Sequence, residues 1–407
     1  MHLDQSNPVT VKERIVSLDV LRGVAVLGIL LMNSVSFALV MGAYESPMVY
    51  NDMAGVDWWT WLILHFAADQ KFVTIFSILF GAGVCIFMER AAKKGHNAWK
   101  LQLSRMGWLL FIGMFHAYMI WFGDILFSYA IAGVCIALCR NWKPKTLIPL
   151  GIFLGMVIPI AVFMFIHWTV QYWPEESIVE MQNGDLLESK QVMAEITTYS
   201  GPYTGQFAHR MMVALMMHFF ILPIYLIWRV AGLMMLGMAA YKMGILSAKK
   251  SKTFYISMLG VGLIIGLPLI WCGVWFKQQH GWDAIQMRFQ DSSWNVVGST
   301  FIACAWIALV MLLCKSTILQ WLQKALAAVG RMALTNYLMQ SIIGTLIFYG
   351  HGFGLFNKLE RFELLWFVAC VWIFQIFFSI FWLKYFKFGP FEWFWRSLTY
   401  LKLQSMK

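Results

Sequence analysis

Charge is scarce in this 407-residue chain: only 13% of its residues are Asp, Glu, Lys or Arg, against about 25% in an average soluble domain. The chemical signatures that usually name a reaction are missing too. There is no P-loop, no GxGxxG, no HExxH and no GxSxG, so neither nucleotide cradling nor a zincin or serine-hydrolase mechanism is written in the spacing. The seven cysteines form no CxxC and stand beside no histidine at metal-ligand spacing. They read as packed thiols, neither disulfides nor metal ligands, and no metal site is expected. Internal repeats, low-complexity tracts and a soluble stretch long enough for its own core are absent as well.

What fills the chain is apolar. Hydrophobic residues make up 60% and aromatics 17%, mean hydropathy is +0.67, and several apolar runs exceed the ~18 residues that mark a membrane span. The expectation is an all-α polytopic integral membrane protein in the lipid bilayer. Spans are predicted at 15–40, 58–88, 106–122, 125–139, 147–169, 209–246, 253–275, 297–314, 332–350 and 363–383. Two of these, 58–88 and 209–246, are too long for one straight crossing. The first breaks at Ala68-Asp69-Gln70-Lys71 and reads as a surface helix plus a span, or as one broken helix. The second carries Pro223 and should bend there. The run 15–40 is longer than a signal-peptide core and reads as a retained first span, although Ser36-Phe37-Ala38 resembles a cleavage site.

Counting each long stretch once gives about ten transmembrane helices. The net charge of +11 then falls on one side, in the N-terminus 1–14, the loops 89–105, 140–145, 249–252 and 315–331, and the tail 384–407. The acidic stretches 43–57 and 170–208 fall on the other. This is the positive-inside pattern rather than a nucleic-acid patch. It places both termini in the cytoplasm, bounds the transmembrane domain at 15–383 and makes 170–208 an extracytoplasmic insert. In the tail, Glu392 and Arg396 are four apart in FEWFWRSL, which reads as an interfacial amphipathic helix anchored by Trp393 and Trp395.

Ionisable residues inside spans are costly and normally face a pathway, a cavity or each other. The stretch 105–130 carries two, His116 and Asp124, on either side of Gly123. In a straight helix they would stand about 12 Å apart, and a turn at Gly123 would fold Asp124 back over His116. A lone membrane histidine is more often a satisfied interhelical hydrogen bond, and catalysis or proton handling is the sharper alternative. Asp19, Arg22 and Asn33 share one face of the first span, with Asp19 and Arg22 placed to pair. That face is a salt bridge plus an interhelical amide, or a cavity lining. Lys71 either snorkels to the interface or serves a site with Asp69. Gly81 and Gly83 suggest close helix packing. Arg229, eleven residues after His218, needs an anionic partner or a polar cavity. Asn336 and Gln340 lie one turn apart and bond between helices or line a cavity. His65, His167, His209, His280 and His351 lie near predicted ends or loops.

Five strings carry a resemblance: RIVSLDVLRGVAVLGILLMN (14–33), DQKFVTIFSILFGAG (69–83), FHAYMIWFGDILFSYA (115–130), GRMALTNYLMQS (330–341) and KFGPFEWFWRSLTY (387–400). Together they resemble the YeiB-like bacterial membrane family, a family of unknown function. That family is distantly similar to the transmembrane acyltransferases, among them the lysosomal heparan-glucosaminide acetyltransferase and the bacterial cell-surface acyltransferases. The shared feature is an N-terminal (V/L)D-x-x-RG, here Leu18-Asp19-Val20-Leu21-Arg22-Gly23. The resemblance implies a protein of the bacterial plasma (inner) membrane that takes an acyl group from a cytoplasmic acyl-CoA to a small-molecule or glycan acceptor outside, using a membrane histidine. On that expectation His116 is the base or acyl carrier, Asp124 orients it, and Arg22 or Arg229 holds the donor's phosphates. Asn33, Asn336 or Gln340 would then meet the oxyanion. The alternative is a proton-coupled transporter of a small solute, with His116, Asp124 and Asp19 as the relay.

Overall fold

A computed structural model describes residues 14–50, 54–184 and 186–407. Residues 1–13, which lead the predicted cytoplasmic N-terminus, lie outside the described residues, as do Asp52 of the acidic loop and Asp185 of the insert. Among the described residues all regular structure is helical. Eight helical stretches are long and apolar enough to cross a membrane, and two shorter apolar helices stand with them.

In chain order, α1 is Val16–Ala38. α2 (Gly55–Ala67) and α3 (Lys71–Lys93) divide the first long stretch, and the break falls at Gln70, whose φ is +60°. The stretch is therefore two helices joined by a short turn at the predicted break. α4 (Ala98–Ile120) and the short α5 (Leu126–Ala137) follow, then α6 (Pro144–Tyr172) and the second long stretch, α7 (Tyr203–Lys242). The predicted bend in α7 is a π-helical segment, Met217–Leu226, around Pro223. A π-bulge accommodates the proline without ending the helix. α8 is Lys252–Gln279, α9 Gln286–Lys315, α10 Gln320–Arg331, α11 Ala333–Phe348, α12 Leu364–Tyr385 and α13 Pro390–Tyr400. The predicted insert 170–208 holds two small helices, Glu175–Asn183 and Lys190–Ser200, and the first residues of α7, which begins at Tyr203.

The connections separate by charge. At the basic end Ser17 Oγ donates to the Leu246 carbonyl at 2.8 Å, Lys315 Nζ to Ala248 O at 3.0 Å and Arg331 Nη2 to Lys387 O at 3.3 Å. At the acidic end Arg288 pairs with Glu45 at 2.9 Å and Asp57 Oδ1 accepts from the Phe362 amide at 2.7 Å. Between the ends, large side chains such as Phe111, Phe219, Ile264 and Phe377 point outward, as expected of a lipid-facing belt. Cys135 and Cys370 are also exposed, so two of the seven thiols are not packed inside.

Lipid supplies little hydrophobic drive between helices, so close van der Waals approach must hold them. Small residues provide it. A methyl at Gly330 would stand 1.8 Å from the Asp19 carbonyl oxygen, and one at Gly23 would stand 2.0 Å from Leu326 O, which sets α10 on α1. Gly81 and Gly237 do the same for α3 and α7, against Met234 O at 2.0 Å and Ile78 O at 1.9 Å. Gly83 meets nothing within 4 Å; of the two glycines in this motif only Gly81 is a packing residue. Gly330→Ala and Gly237→Ala should each destabilise the protein by about 1–3 kcal/mol or more. Gly83→Ala should leave the unfolding midpoint unchanged. Thermal unfolding in detergent checks all three, and equal midpoints would contradict this packing.

Candidate active site

The last turn of α4, His116–Ile120, is π-helical and closes with the Trp121 amide on the His116 carbonyl at 2.9 Å. Trp121 is then extended, and the chain turns through Gly123 into α5. Gly123 is required because the Trp121 ring lies where a Cβ would stand, at 2.2 Å. Arg210 of α7, fully buried, donates to Tyr118 O at 2.9 Å and so satisfies a carbonyl that the ending helix leaves open.

This turn folds Asp124 back onto His116. His116 Nδ1 and Asp124 Oδ2 are 2.7 Å apart, with the two side chains 1% and 0% exposed. The other carboxylate oxygen, Oδ1, accepts from the Phe127 amide at 2.7 Å and caps α5, where the helix dipole favours an anion. Gly113 makes room beneath, since a Cβ there would lie 2.5 Å from Phe127 N and 2.9 Å from Asp124 Oδ1. Tyr337 of α11 pins the turn: its hydroxyl donates to Gly123 O and accepts from Ile125 N, both at 3.3 Å. The Tyr337 and His116 rings are 5.3 Å apart. A carboxylate at Asp124 accepts from Nδ1–H and leaves the lone pair on His116 Nε2. That nitrogen is buried and, among the described residues, has no hydrogen-bond partner. A second histidine, His218, stacks on Phe127 at 3.8 Å and meets the Tyr118 hydroxyl through Nδ1 at 3.0 Å.

Below Tyr337 a cavity of about 380 Å³ opens toward the basic end. Its inner wall is apolar, with Leu79, Phe80, Leu109 and Leu126 beside Tyr337. Its mouth is lined by seven cations, Arg14, Arg22, Arg90, Arg105, Arg331, Lys387 and Arg396, against two carboxylates, Asp19 and Glu392. Both carboxylates are engaged. Asp19 pairs with Arg22 at 3.0 Å, as expected from their spacing. Glu392 accepts from the Leu334 and Thr335 amides at 2.6 and 3.0 Å and from Thr335 Oγ1 at 2.6 Å, capping α11. Arg105 stacks on Phe87 and Trp395 at 4.7 Å each.

In the tail helix α13 the spacing of Glu392 and Arg396 does not become a pair: among the described residues Glu392 makes no ion pair with Arg396. Trp395 Nε1 donates to Arg105 O at 2.9 Å, and both Trp395 and Arg396 form the cavity wall. The cap on α11 outcompetes the intrahelical ion pair because two backbone amides and a hydroxyl converge on one carboxylate.

The remaining candidate residues lie elsewhere. Asn33 sits half-buried on α1 and is not among the cavity's lining residues. Asn336 Nδ2 donates to Val329 O and to Ser379 Oγ; Gln340 Nε2 donates to Val26 O and Gln375 Oε1. These amides tie α1, α10, α11 and α12 together, so their donors are spent on packing and they line no part of this cavity. Arg229 does not reach the cavity either. It donates to Gly155 O at 2.7 Å and to the Ser299 and Thr300 hydroxyls at 3.1 Å, in the middle of the helical stretches that carry them. Lys71 does not snorkel: fully buried, it donates to His65 O at 2.5 Å and to Asn295 Oδ1 at 2.9 Å. Asp69 joins the same network through His65 Nδ1 at 3.0 Å and Asn295 Nδ2 at 2.7 Å.

Fold and site define a class: a polytopic helical membrane protein with a buried histidine–carboxylate pair above a cation-lined cavity. Comparison with known proteins agrees on family. The profile described as "Protein of unknown function (DUF418)" matches residues 240–402. The chain is 32% identical to the Escherichia coli (strain K12) "Uncharacterized protein YeiB", covering 95% of this chain and 96% of that protein. It is likewise 32% identical to the Bacillus subtilis (strain 168) "Uncharacterized protein YxaH", covering 98% and 97%. An "Uncharacterized 39.9 kDa protein in amylase 3'region" of Bacillus acidopullulyticus shares 28% over 97% and 96%. The chain belongs to the YeiB-like family of membrane proteins.

Proposed function

We propose that the protein is an acyltransferase of the bacterial plasma membrane, taking an acyl group from cytoplasmic acyl-CoA to a small-molecule or glycan acceptor outside. The observation that carries this reading is the wall shared by the cavity and the histidine pair. The cavity's cations lie at the end expected in the cytoplasm, its inner wall is apolar, and one of its lining residues, Tyr337, packs on the ring of His116, which itself does not line the cavity. The mouth suits the donor's phosphates through charge-assisted hydrogen bonds, and the apolar wall suits the thioester arm.

His116 acts as general base. The acceptor's hydroxyl or amine gives its proton to His116 Nε2 while its oxygen or nitrogen bonds to the thioester carbonyl carbon. The tetrahedral intermediate then breaks its C–S bond. His116 returns the proton to the leaving thiolate, which departs as the free thiol. Asp124 holds the imidazole in register and stabilises its charged form. Arg22 remains a phosphate contact in this scheme, and Arg229 leaves it.

Binding of acetyl-CoA to the detergent-purified protein, with free-thiol release, tests the reading. Saturable thermal stabilisation and slow thiol release support it. A protein that no acyl thioester stabilises is not this enzyme. The competing reading, proton-coupled transport, draws on the buried Asp69–His65–Lys71 network. Solute uptake into proteoliposomes that collapses with the proton gradient would favour it.

A further inference from the structure

Gly83 ends the string 69–83, and helix packing does not explain it. Gly81, two residues earlier, lets α3 and α7 touch. A Cβ on Gly83 meets nothing within 4 Å among the described residues. Glycine inside a helix is less stable than alanine, so a glycine where alanine fits brings α3 no stability. The open space beside it is the basic cavity, which Gly83 lines.

The cavity runs along one face of α3. Phe76, Phe80, Gly83, Phe87 and Arg90 all line it, and their spacing of three and four residues places them on one stripe. Arg90 stands seven residues from Gly83 toward the basic end, and Phe76 seven residues the other way, about 10 Å each at 1.5 Å per residue. Gly83 is therefore a gap halfway along a wall of rings. Arg105 of α4 spans that gap. Its guanidinium lies 5.9 Å from the Phe80 ring centroid and 4.7 Å from that of Phe87, the rings on either side of Gly83. Arg105 Nη1 is buried and, among the described residues, has no hydrogen-bond partner. The same holds for Arg331 Nε and Arg396 Nε, whose residues line the mouth. Buried donors without partners are costly. Three of them around one cavity call for a ligand that accepts.

We infer that Gly83 is a specificity-determining residue, the waist through which a slender, flexible arm of the ligand passes from the arginines to the apolar inner wall. The ligand class is a phosphate-bearing anion with such an arm. The head meets Arg331 and Arg396, Arg105 Nη1 takes an acceptor where the arm begins, and the arm runs past Gly83 between Phe80 and Phe87. A side chain at position 83 would fill the arm's path and leave the head's contacts in place. Choosing an acyl-CoA as this ligand rests on the acyl-transfer reading; the waist itself does not.

The test compares the wild type, Gly83→Ala and Gly83→Leu as full chains in lipid nanodiscs, by thermal unfolding titrated with four probes. Acetyl-CoA and octyl phosphate carry an arm. Adenosine 3′,5′-bisphosphate and inorganic phosphate are the corresponding heads alone. Without ligand the three proteins should share one unfolding midpoint, because a Cβ on Gly83 meets nothing within 4 Å among the described residues. In Gly83→Leu the apparent dissociation constant of an arm-bearing probe should rise about tenfold or more, and in Gly83→Ala by less. That of its head should stay within about threefold of wild type in both. A wild type that binds octyl phosphate but not acetyl-CoA sinks the acyl-transfer reading, and the waist is then judged on octyl phosphate. The waist is overturned by a Gly83→Leu protein that binds the arm-bearing probes as the wild type does. It is overturned equally by one that loses head and arm-bearing probe alike, or by a wild type that binds no arm-bearing probe. If Gly83→Leu fails to fold, Gly83→Met replaces it in the same comparison.

Discussion

Asp124→Asn is expected to lower acyl transfer by about 10²–10⁴, as much as His116→Ala, while the donor still binds. The reason is geometric. Asp124 Oδ1 accepts from the Phe127 amide and Oδ2 from His116. An asparagine that keeps its carbonyl oxygen on Phe127 N–H must turn its NH₂ toward His116 Nδ1. That nitrogen then accepts, the ring proton moves to Nε2, and the lone pair that would take the acceptor's proton is gone. The α5 cap survives, so folding should be nearly unaffected. Asp124→Ala removes both functions and should cost about 1 kcal/mol of stability in addition, as lost helix caps do. Thiol release at saturating donor, measured beside donor affinity, separates the two roles. An Asp124→Asn protein that folds, binds donor and turns over within about threefold of wild type would remove the dyad from the chemistry.

The spans were legible because apolar runs and basic loops are local properties. So was the turn at Gly123, the one small residue between His116 and Asp124. The rest depended on contacts far apart in sequence. Arg229 called for an anionic partner or polar surroundings, and what it meets are neutral oxygens. The partner is the Gly155 carbonyl, reachable because α6 and α7 pack through Gly155 and Gly232, where a Cβ on Gly232 would stand 2.2 Å from Gly155 N. Nothing near Arg229 in the sequence announces that approach.

From sequence His65 reads only as a residue near a helix end, although it stands four before Asp69 and so one helical turn away. That spacing was the available signal for the network it joins. Tyr337 stands in GRMALTNYLMQS between Asn336 and Gln340, whose amides are the more conspicuous candidates by residue type. The two amides serve packing, and the tyrosine between them faces the cavity. The cavity itself was invisible, because Arg14, Arg105, Arg331 and Arg396 converge from four distant segments.

That convergence carries the second large effect. In Arg331→Gln/Arg396→Gln the donor's dissociation constant should rise about 100-fold or more. A hydrogen bond to a charged group contributes about 1.5–3 kcal/mol, and the double variant removes two cations that line the mouth. The turnover rate at saturating donor should stay close to wild type, since neither residue approaches His116. The stability of the ligand-free protein discriminates this from simple misfolding. Seven cations face one mouth with both carboxylates already engaged, so removing two relieves repulsion, and the unfolding midpoint should hold or rise. Salt should act in the same direction on the wild type, weakening donor binding as the Debye length shortens from about 10 Å at 0.1 M toward about 3 Å at 1 M. The double variant should show a shallower salt dependence, having fewer charges to screen. A donor affinity unchanged within about threefold, in a protein with a wild-type midpoint, would mean that these cations serve another ligand. The basic cavity would then have to be reassigned even if the His116–Asp124 pair proved catalytic.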